Sequence, residues 1–149
     1  LALPTPFPEV NTVVRVLLSE AHAILGNRFV GMYLYGSVAG REVYPGGNGY
    51  CATKFAVRAL SKGLRLDLNG TPIRVSEVAP GMVETEFSLV RFHGDAERAG
   101  RVYQGLTPLT PDDIADAVLV CATRPPHVNI SLMVVMPTAQ ASTTLVHRK

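Results

Sequence analysis

The spacing of apolar residues predicts alternating helices and strands in the first half of the chain. Apolar side chains recur at helical spacing over residues 10–25, and a Gly-Asn pair ends this predicted helix. Residues 29–35 follow as a strand that is apolar on both faces, which is the pattern of a covered parallel sheet. A long helix is predicted over residues 50–68, where an Asn-Gly pair closes it.

The second half of the chain continues this alternation and ends on a third strand. Residues 73–79 are predicted to form a strand, and residues 94–104 a helix. A further helix over residues 110–123 begins with Thr as the cap, Pro in the first turn and two acids near the positive end of the helix dipole. Residues 129–136 are predicted to form a strand. The order of elements predicts an α/β fold with about three parallel strands and helices on the faces of the sheet.

Composition and charge restrict the functions that the chain can have. With 149 residues, the chain fits a single domain over residues 1–149. Hydrophobic residues make up 47% and charged residues 17%, which is a globular composition. The net charge of +2 is spread without a basic run, so we expect neither nucleic acid nor a membrane as a partner. No apolar run approaches the ~20 residues that are needed to span a bilayer.

The cysteines and histidines predict neither a disulfide nor a metal site. Cys51 and Cys121 stand far apart without a CxxC pattern, which is typical of a reduced, cytoplasmic protein. The four histidines show no metal-ligand spacing. We therefore expect a cytoplasmic protein whose chemistry uses no metal.

Three polar residues are spaced so that they can meet at one edge of the predicted sheet. Tyr50 and Lys54 are four residues apart and share one face of their helix. Ser37 lies thirteen residues before Tyr50, at the carboxyl end of the first strand. Active sites of open α/β sheets gather at that edge. A phenol beside an ammonium can exchange a proton with a substrate oxygen, which a serine hydroxyl can orient.

Two motifs around these residues resemble the catalytic segments of the short-chain dehydrogenase/reductase family. Residues 36–40 read Gly-Ser-Val-Ala-Gly, and residues 50–57 begin with the family's Tyr-x-x-x-Lys pattern. The resemblance implies a catalytic role for Ser37, Tyr50 and Lys54. In that role Tyr50 donates the proton, Lys54 activates Tyr50, and Ser37 holds the substrate carbonyl.

A third motif and the end of the chain extend this resemblance to about residues 36–149. Residues 80–85, Pro-Gly-Met-Val-Glu-Thr, are similar to the family's loop that approaches the nicotinamide. Segments within residues 109–138 resemble the NADP-dependent 3-hydroxy acid dehydrogenase branch. The resemblance implies NADP(H)-linked oxidoreduction between a carbonyl and an alcohol, on a small hydroxy acid or similar alcohol. The implied cofactor-binding residues are Pro80, Gly81, Val83 and Thr85.

The glycine-rich TGxxxGxG turn that holds the pyrophosphate in this family is not found before Ser37. The family's Asn-Asn-Ala-Gly stretch is not found there either. We therefore expect a truncated Rossmann-like half domain that lacks the N-terminal dinucleotide-binding half. In such a domain, NADP binding by one chain is impaired.

Residues 1–37 resemble the start of a nucleotidyltransferase domain instead. In that family a helix and a strand lead into a Gly-Ser turn, which is followed by two metal-binding aspartates. Here the Gly36–Ser37 turn is present, whereas residues 41–44 read Arg-Glu-Val-Tyr and supply no aspartate. The chain therefore resembles a chimera of a nucleotidyltransferase-like segment, residues 1–37, and a dehydrogenase-like segment, residues 38–149.

Two other functions remain open at this point. A hydrolase acting on an ester or glycoside would reuse the same polar residues or the acids within residues 84–97. A non-catalytic oligomeric chimera would retain the motif only as inherited packing. Self-association as a dimer or tetramer is expected in every case, because the strand over residues 29–35 would lack one neighbour in its sheet. Either enzyme would take a small-molecule substrate.

Overall fold

The computed structural model describes residues 31–149 and shows a three-stranded parallel sheet at the centre of this region. The strands are β1 (Gly31–Tyr35), β2 (Arg74–Pro80) and β3 (Leu132–Val135), in the spatial order β1-β2-β3. All residues of β2 are buried, as expected for a central strand covered on both faces. The predicted α/β arrangement with three parallel strands is therefore found in the described residues.

The longest helix of the described residues, α1 (Asn48–Asp67), leads from the end of β1 to the start of β2. Its bounds lie within two residues of the prediction made from the sequence. Its buried residues are Cys51, Ser61 and Leu64, and α1 contacts β2 and β1. Because β1 and β2 are parallel, their carboxyl ends lie at the same edge of the sheet.

The helix before the last strand, α4 (Pro111–Ala122), begins as the sequence predicts. The carboxylate of Asp113 accepts a hydrogen bond of 2.7 Å from the Thr110 backbone N–H, and the Thr110 hydroxyl accepts one from the Asp113 N–H. The pKa of the Asp113 carboxyl lies below its ordinary value, because it accepts hydrogen bonds from the Thr110 backbone N–H, which contributes most, and from the Thr110 hydroxyl. The buried face of the helix packs through Ile114, Ala117 and Cys121 against Val78 of β2.

The region between β2 and α4 differs from the prediction of one helix over residues 94–104. It contains two short helices, α2 (Phe87–Arg91) and α3 (Ala96–Arg101). Between α2 and α3, His93 and Gly94 adopt positive φ angles of 54° and 89°. The backbone therefore leaves the right-handed helical conformation at these two residues. Asp95 then caps α3, because its side chain accepts a hydrogen bond from the Arg98 N–H.

Several expectations fall wholly or partly outside the described residues. They are the helix over residues 10–25, the first residues of the strand at 29–35, and most of the nucleotidyltransferase-like segment at 1–37. Within residues 31–149, no helix combines the length and apolar character that a membrane crossing requires. The same residues contain no cluster of side chains suited to hold a metal ion.

Candidate active site

A cavity of about 490 Å³ opens at the carboxyl edge of the sheet, where β1 and β2 end. Its walls come from the turn after β1, the first half of α1, the loop after β2, α2, and residues near the end of the chain. All seven residues singled out from the sequence line this one cavity: Ser37, Tyr50, Lys54, Pro80, Gly81, Val83 and Thr85.

Ser37 begins a short 3-10 turn, Val38–Gly40, directly after β1. Its hydroxyl oxygen accepts a hydrogen bond of 3.2 Å from the Ala39 N–H, which fixes the side chain at the cavity wall. The turn lies tightly against α1, because a Cβ atom on Gly40 would be 2.7 Å from the carbonyl oxygen of Lys54. Only glycine therefore fits at position 40 without a movement of the backbone. This close contact sets the distance between the Ser37 turn and α1.

Tyr50 and Lys54 lie one turn apart on α1, with the Lys54 Nζ atom 5.5 Å from the centre of the Tyr50 ring. The Tyr50 ring also packs against Phe87 of α2, with 5.8 Å between ring centres and a tilt of 46°. Lys54 is half-buried, and burial lowers the pKa of its ammonium from the ordinary value. The protein thus holds a partly desolvated cation beside a phenol at the cavity wall.

The loop of residues 80–85 is held in place by backbone hydrogen bonds to two separate parts of the chain. The Gly81 N–H donates to the Val135 carbonyl at 2.8 Å, which extends the pairing of β2 with β3. The Leu109 N–H donates to the Met82 carbonyl at 2.9 Å, and the Glu84 N–H to the Leu109 carbonyl at 2.8 Å. The loop therefore presents a fixed backbone surface to the cavity.

Gln140 supports this loop and was not identified from the sequence. Its side chain is only 6% exposed, and its Oε1 atom accepts a hydrogen bond of 2.8 Å from the Met82 N–H. Its Nε2 atom donates to the Ser142 carbonyl, so both ends of the amide are used. A Cβ atom on Gly81 would lie 2.4 Å from the same Oε1 atom, which explains why glycine precedes Met82. Gln140 and Met82 are 58 positions apart, so no local pattern signals the contact.

Tyr103 is a second supporting residue that sequence reasoning missed. Its hydroxyl donates to the Val83 carbonyl at 2.9 Å and lies 2.7 Å from the Ser88 hydroxyl. It therefore ties the loop after β2 to α2, and both Tyr103 and Ser88 line the cavity.

The charge of the cavity wall is positive. Lys54 and Arg91 line it, and no aspartate or glutamate is among the described residues that do so. Glu84 and Glu86, which the hydrolase alternative would use, are exposed and are not part of the wall. Cys51 is buried on α1, with its thiol directed at the Glu42 carbonyl oxygen, 3.9 Å away. Neither a carboxylate pair nor a nucleophilic cysteine is therefore found at this site in the described region.

Comparison with known proteins identifies relatives of one kind. The sequence model for short chain dehydrogenases matches residues 34–94. An NADP-dependent 3-hydroxy acid dehydrogenase of Schizosaccharomyces pombe is 49% identical over 114 residues, which is 76% of this chain and 44% of the relative. The solved closed form of a serine dehydrogenase complexed with NADP+ has a TM-score of 0.80 and 42% identity, and the match covers 94% of this chain and 56% of that protein.

The similarity to oxidoreductases extends into the first 30 residues. Sulfoacetaldehyde reductase 2 of Chromohalobacter salexigens is 42% identical over 140 residues, which is 89% of this chain and 54% of the relative. Residues 31–149 amount to about four fifths of the chain, so this alignment includes residues before position 31. The comparisons give no support to the nucleotidyltransferase resemblance. The chain spans about half the length of the relatives that it matches.

Proposed function

We propose that the chain forms part of an oxidoreductase that interconverts an alcohol and a carbonyl with NADP(H), because residues 34–94 match the sequence model for short chain dehydrogenases and the relatives are oxidoreductases. One observation carries the proposal: a single cavity collects Ser37, Tyr50 and Lys54 together with the loop of residues 80–85. These residues come from three separate segments, and the fold gives them one shared surface. The relative that acts on 3-hydroxy acids suggests a small hydroxy acid or similar alcohol as substrate.

In the proposed reaction, each of the three polar residues acts on the substrate oxygen. The Ser37 hydroxyl donates a hydrogen bond that orients the carbonyl oxygen. The Tyr50 hydroxyl transfers its proton to that oxygen as the alcohol forms, and takes the proton back in the reverse direction. The Lys54 ammonium, 5.5 Å from the Tyr50 ring centre, stabilises the negative charge left on the phenol oxygen. When bound, the nicotinamide supplies or accepts the hydride at the carbonyl carbon.

The residues proposed to hold the nicotinamide end of the cofactor are Pro80, Gly81, Val83 and Thr85. The loop that contains them lines the cavity and is fixed by backbone hydrogen bonds, as a surface for a planar ring requires. A glycine-rich turn for the pyrophosphate is not among residues 31–149. We therefore propose that these residues bind only one end of NADP(H), and that tight binding needs residues beyond the described ones.

Titration calorimetry with NADP+ and NADPH tests the redox function, on protein whose oligomeric state is fixed by light scattering. Saturable binding, together with NADP+-dependent oxidation of 3-hydroxybutanoate, is the expected result. The absence of binding at millimolar cofactor would overturn the proposal for this chain. The hydrolase alternative has no support from the site, since its carboxylates lie outside the cavity wall formed by the described residues.

We also propose that copies of the chain associate. Large apolar side chains are exposed on α1, including Phe55 and Leu66, and on α4, including Leu119. Surfaces of this kind are covered in most assemblies, and a dimer or tetramer would cover them here. Light scattering at micromolar concentration checks this, and a monomer would contradict it.

A further inference from the structure

Arg91 places a second positive charge on the wall of the cavity. It is the last residue of α2, and it lines the cavity that Ser37 and Tyr50 also line. Its guanidinium lies 5.8 Å from the centre of the Tyr44 ring and 5.5 Å from that of Phe92. Across residues 31–149, no carboxylate lies within ion-pair distance of it. A guanidinium stacked on rings keeps its N–H edge available for a bidentate partner.

The surface beneath Arg91 is held in place by close packing. The Tyr44 ring lies directly over Gly47, since a Cβ atom at that position would be 2.4 Å from the ring. The segment that contains Tyr44 is also tied to residues near the end of the chain, because the Glu42 carboxylate accepts a hydrogen bond of 2.8 Å from the Thr143 N–H. The Tyr44 ring is therefore packed against the chain, and the Arg91 guanidinium lies 5.8 Å from its centre.

The distance from Arg91 to the reacting groups suits a short ligand. Phe87 and Arg91 are four residues apart on α2, so their Cβ atoms lie about 5–6 Å apart on one face. The Phe87 ring in turn contacts the Tyr50 ring at 5.8 Å. An anionic group at Arg91 would thus lie about one helical turn from the side chain that contacts Tyr50. A ligand with a hydroxyl or carbonyl only a few bonds from its anionic group can reach both places.

We propose that Arg91 binds the anionic group of the substrate and makes the site selective for short hydroxy or oxo acids over neutral alcohols. The identification of the ligand as a substrate rests on the proposed function. The recognition of an anion rests only on the geometry of the wall, which carries two cations and no carboxylate among its described residues.

The test compares Arg91→Gln with a matched variant, Arg98→Gln. Arg98 also stacks on Phe92, at 4.6 Å, but it does not line the cavity. Ligand-observed NMR titrations measure the dissociation constants of 3-hydroxybutanoate and its neutral methyl ester. We expect Arg91→Gln to weaken binding of the acid about 10- to 100-fold, the loss for a hydrogen bond to a charged group, and to leave ester binding unchanged. Arg98→Gln should bind both ligands as the unmodified protein does.

Other outcomes identify which statement is wrong. Equal acid binding by Arg91→Gln and the unmodified protein, or no preference of the unmodified protein for the acid over the ester, would overturn the role of Arg91. If Arg91→Gln loses NADP+ binding but binds the acid as before, the guanidinium contacts a cofactor phosphate. That result would also overturn the role of Arg91 in substrate binding. Preferential acid binding that depends on Arg91, without any NADP-linked turnover, would overturn the redox function and leave anion recognition standing.

Discussion

The Lys54 ammonium lies 5.5 Å from the centre of the Tyr50 ring, and both side chains reach the cavity from successive turns of α1. The helix enforces this pairing, because residues four positions apart share one face. The close contact of Gly40 with the Lys54 backbone then brings the Ser37 turn to the same place. The proposed chemistry therefore depends on one helix and one glycine contact as much as on the polar groups themselves.

We predict that Tyr50→Phe removes NADP-linked turnover while leaving the fold intact. Loss of a positioned proton donor lowers kcat by about 10²- to 10⁴-fold. The ring contact with Phe87 is retained, so the melting temperature should stay within a degree or two of the unmodified protein. Steady-state kinetics and thermal unfolding of the same preparation check both parts. Retained kcat would exclude Tyr50 as the proton donor.

Lys54→Met should change the pH dependence of stability. Burial lowers the pKa of Lys54 in the folded protein, so between that value and 10.5 the unfolded chain binds more protons. The free energy of unfolding therefore rises as the pH increases toward 10.5. This gain is lost as the pH falls through the pKa that Lys54 has in the folded protein. Denaturant unfolding between pH 7 and pH 10.5 should show the unmodified protein gaining stability relative to Lys54→Met.

Lys62→Met is the matched control for that experiment. Lys62 lies on the same helix but is exposed. Its substitution should leave the slope of stability against pH as it is in the unmodified protein. If Lys54→Met and Lys62→Met show the same slope of stability against pH, the lowered pKa of Lys54 is not the cause of the slope in the unmodified protein.

Gly40→Ala should destabilise the protein, whereas Gly63→Ala should not. A Cβ atom at position 40 would lie 2.7 Å from the Lys54 carbonyl oxygen, and overpacking of this kind costs about 1–3 kcal/mol in the free energy of unfolding. At position 63, inside α1, an added Cβ atom meets nothing within 4 Å. Alanine there should raise the free energy of unfolding by about 0.5–1 kcal/mol, because glycine weakens a helix. Urea titrations measure both changes, and equal effects would contradict the tight contact.

Much of the described fold could be predicted from local patterns. The long helix α1 has a periodicity that persists for five turns, and the start of α4 carries a complete set of capping residues. The short helix α2 has only five residues, too few for a period to show, so it was missed. The helix predicted over residues 94–104 is found in shortened form as Ala96–Arg101, because the positive φ of Gly94 prevents a helix from starting at that residue.

The site was predictable only where a motif carries it. Ser37, Tyr50 and Lys54 were identified because their spacing is itself chemically meaningful. Gln140 and Tyr103 reach the cavity from positions far from the residues that they contact, and nothing near them in the sequence indicates these partners. Supporting contacts of this kind arise from the fold, so the three-dimensional structure is needed to find them.

The Gln140 amide joins the segment around Ser142 to the loop of residues 80–85. Gln140→Ala leaves the Met82 N–H without its 2.8 Å partner, and an unpaired buried donor costs about 1–3 kcal/mol in the free energy of unfolding. The loop of residues 80–85 would lose one of its anchors, so the affinity for NADP+ should fall together with stability. Calorimetry and urea unfolding measure the two quantities. Gln104→Ala, at an exposed position, is the control and should alter neither. If Gln140→Ala lowers stability but leaves NADP+ affinity unchanged, then the loop does not bind the cofactor, and the assignment of Pro80, Gly81, Val83 and Thr85 is wrong.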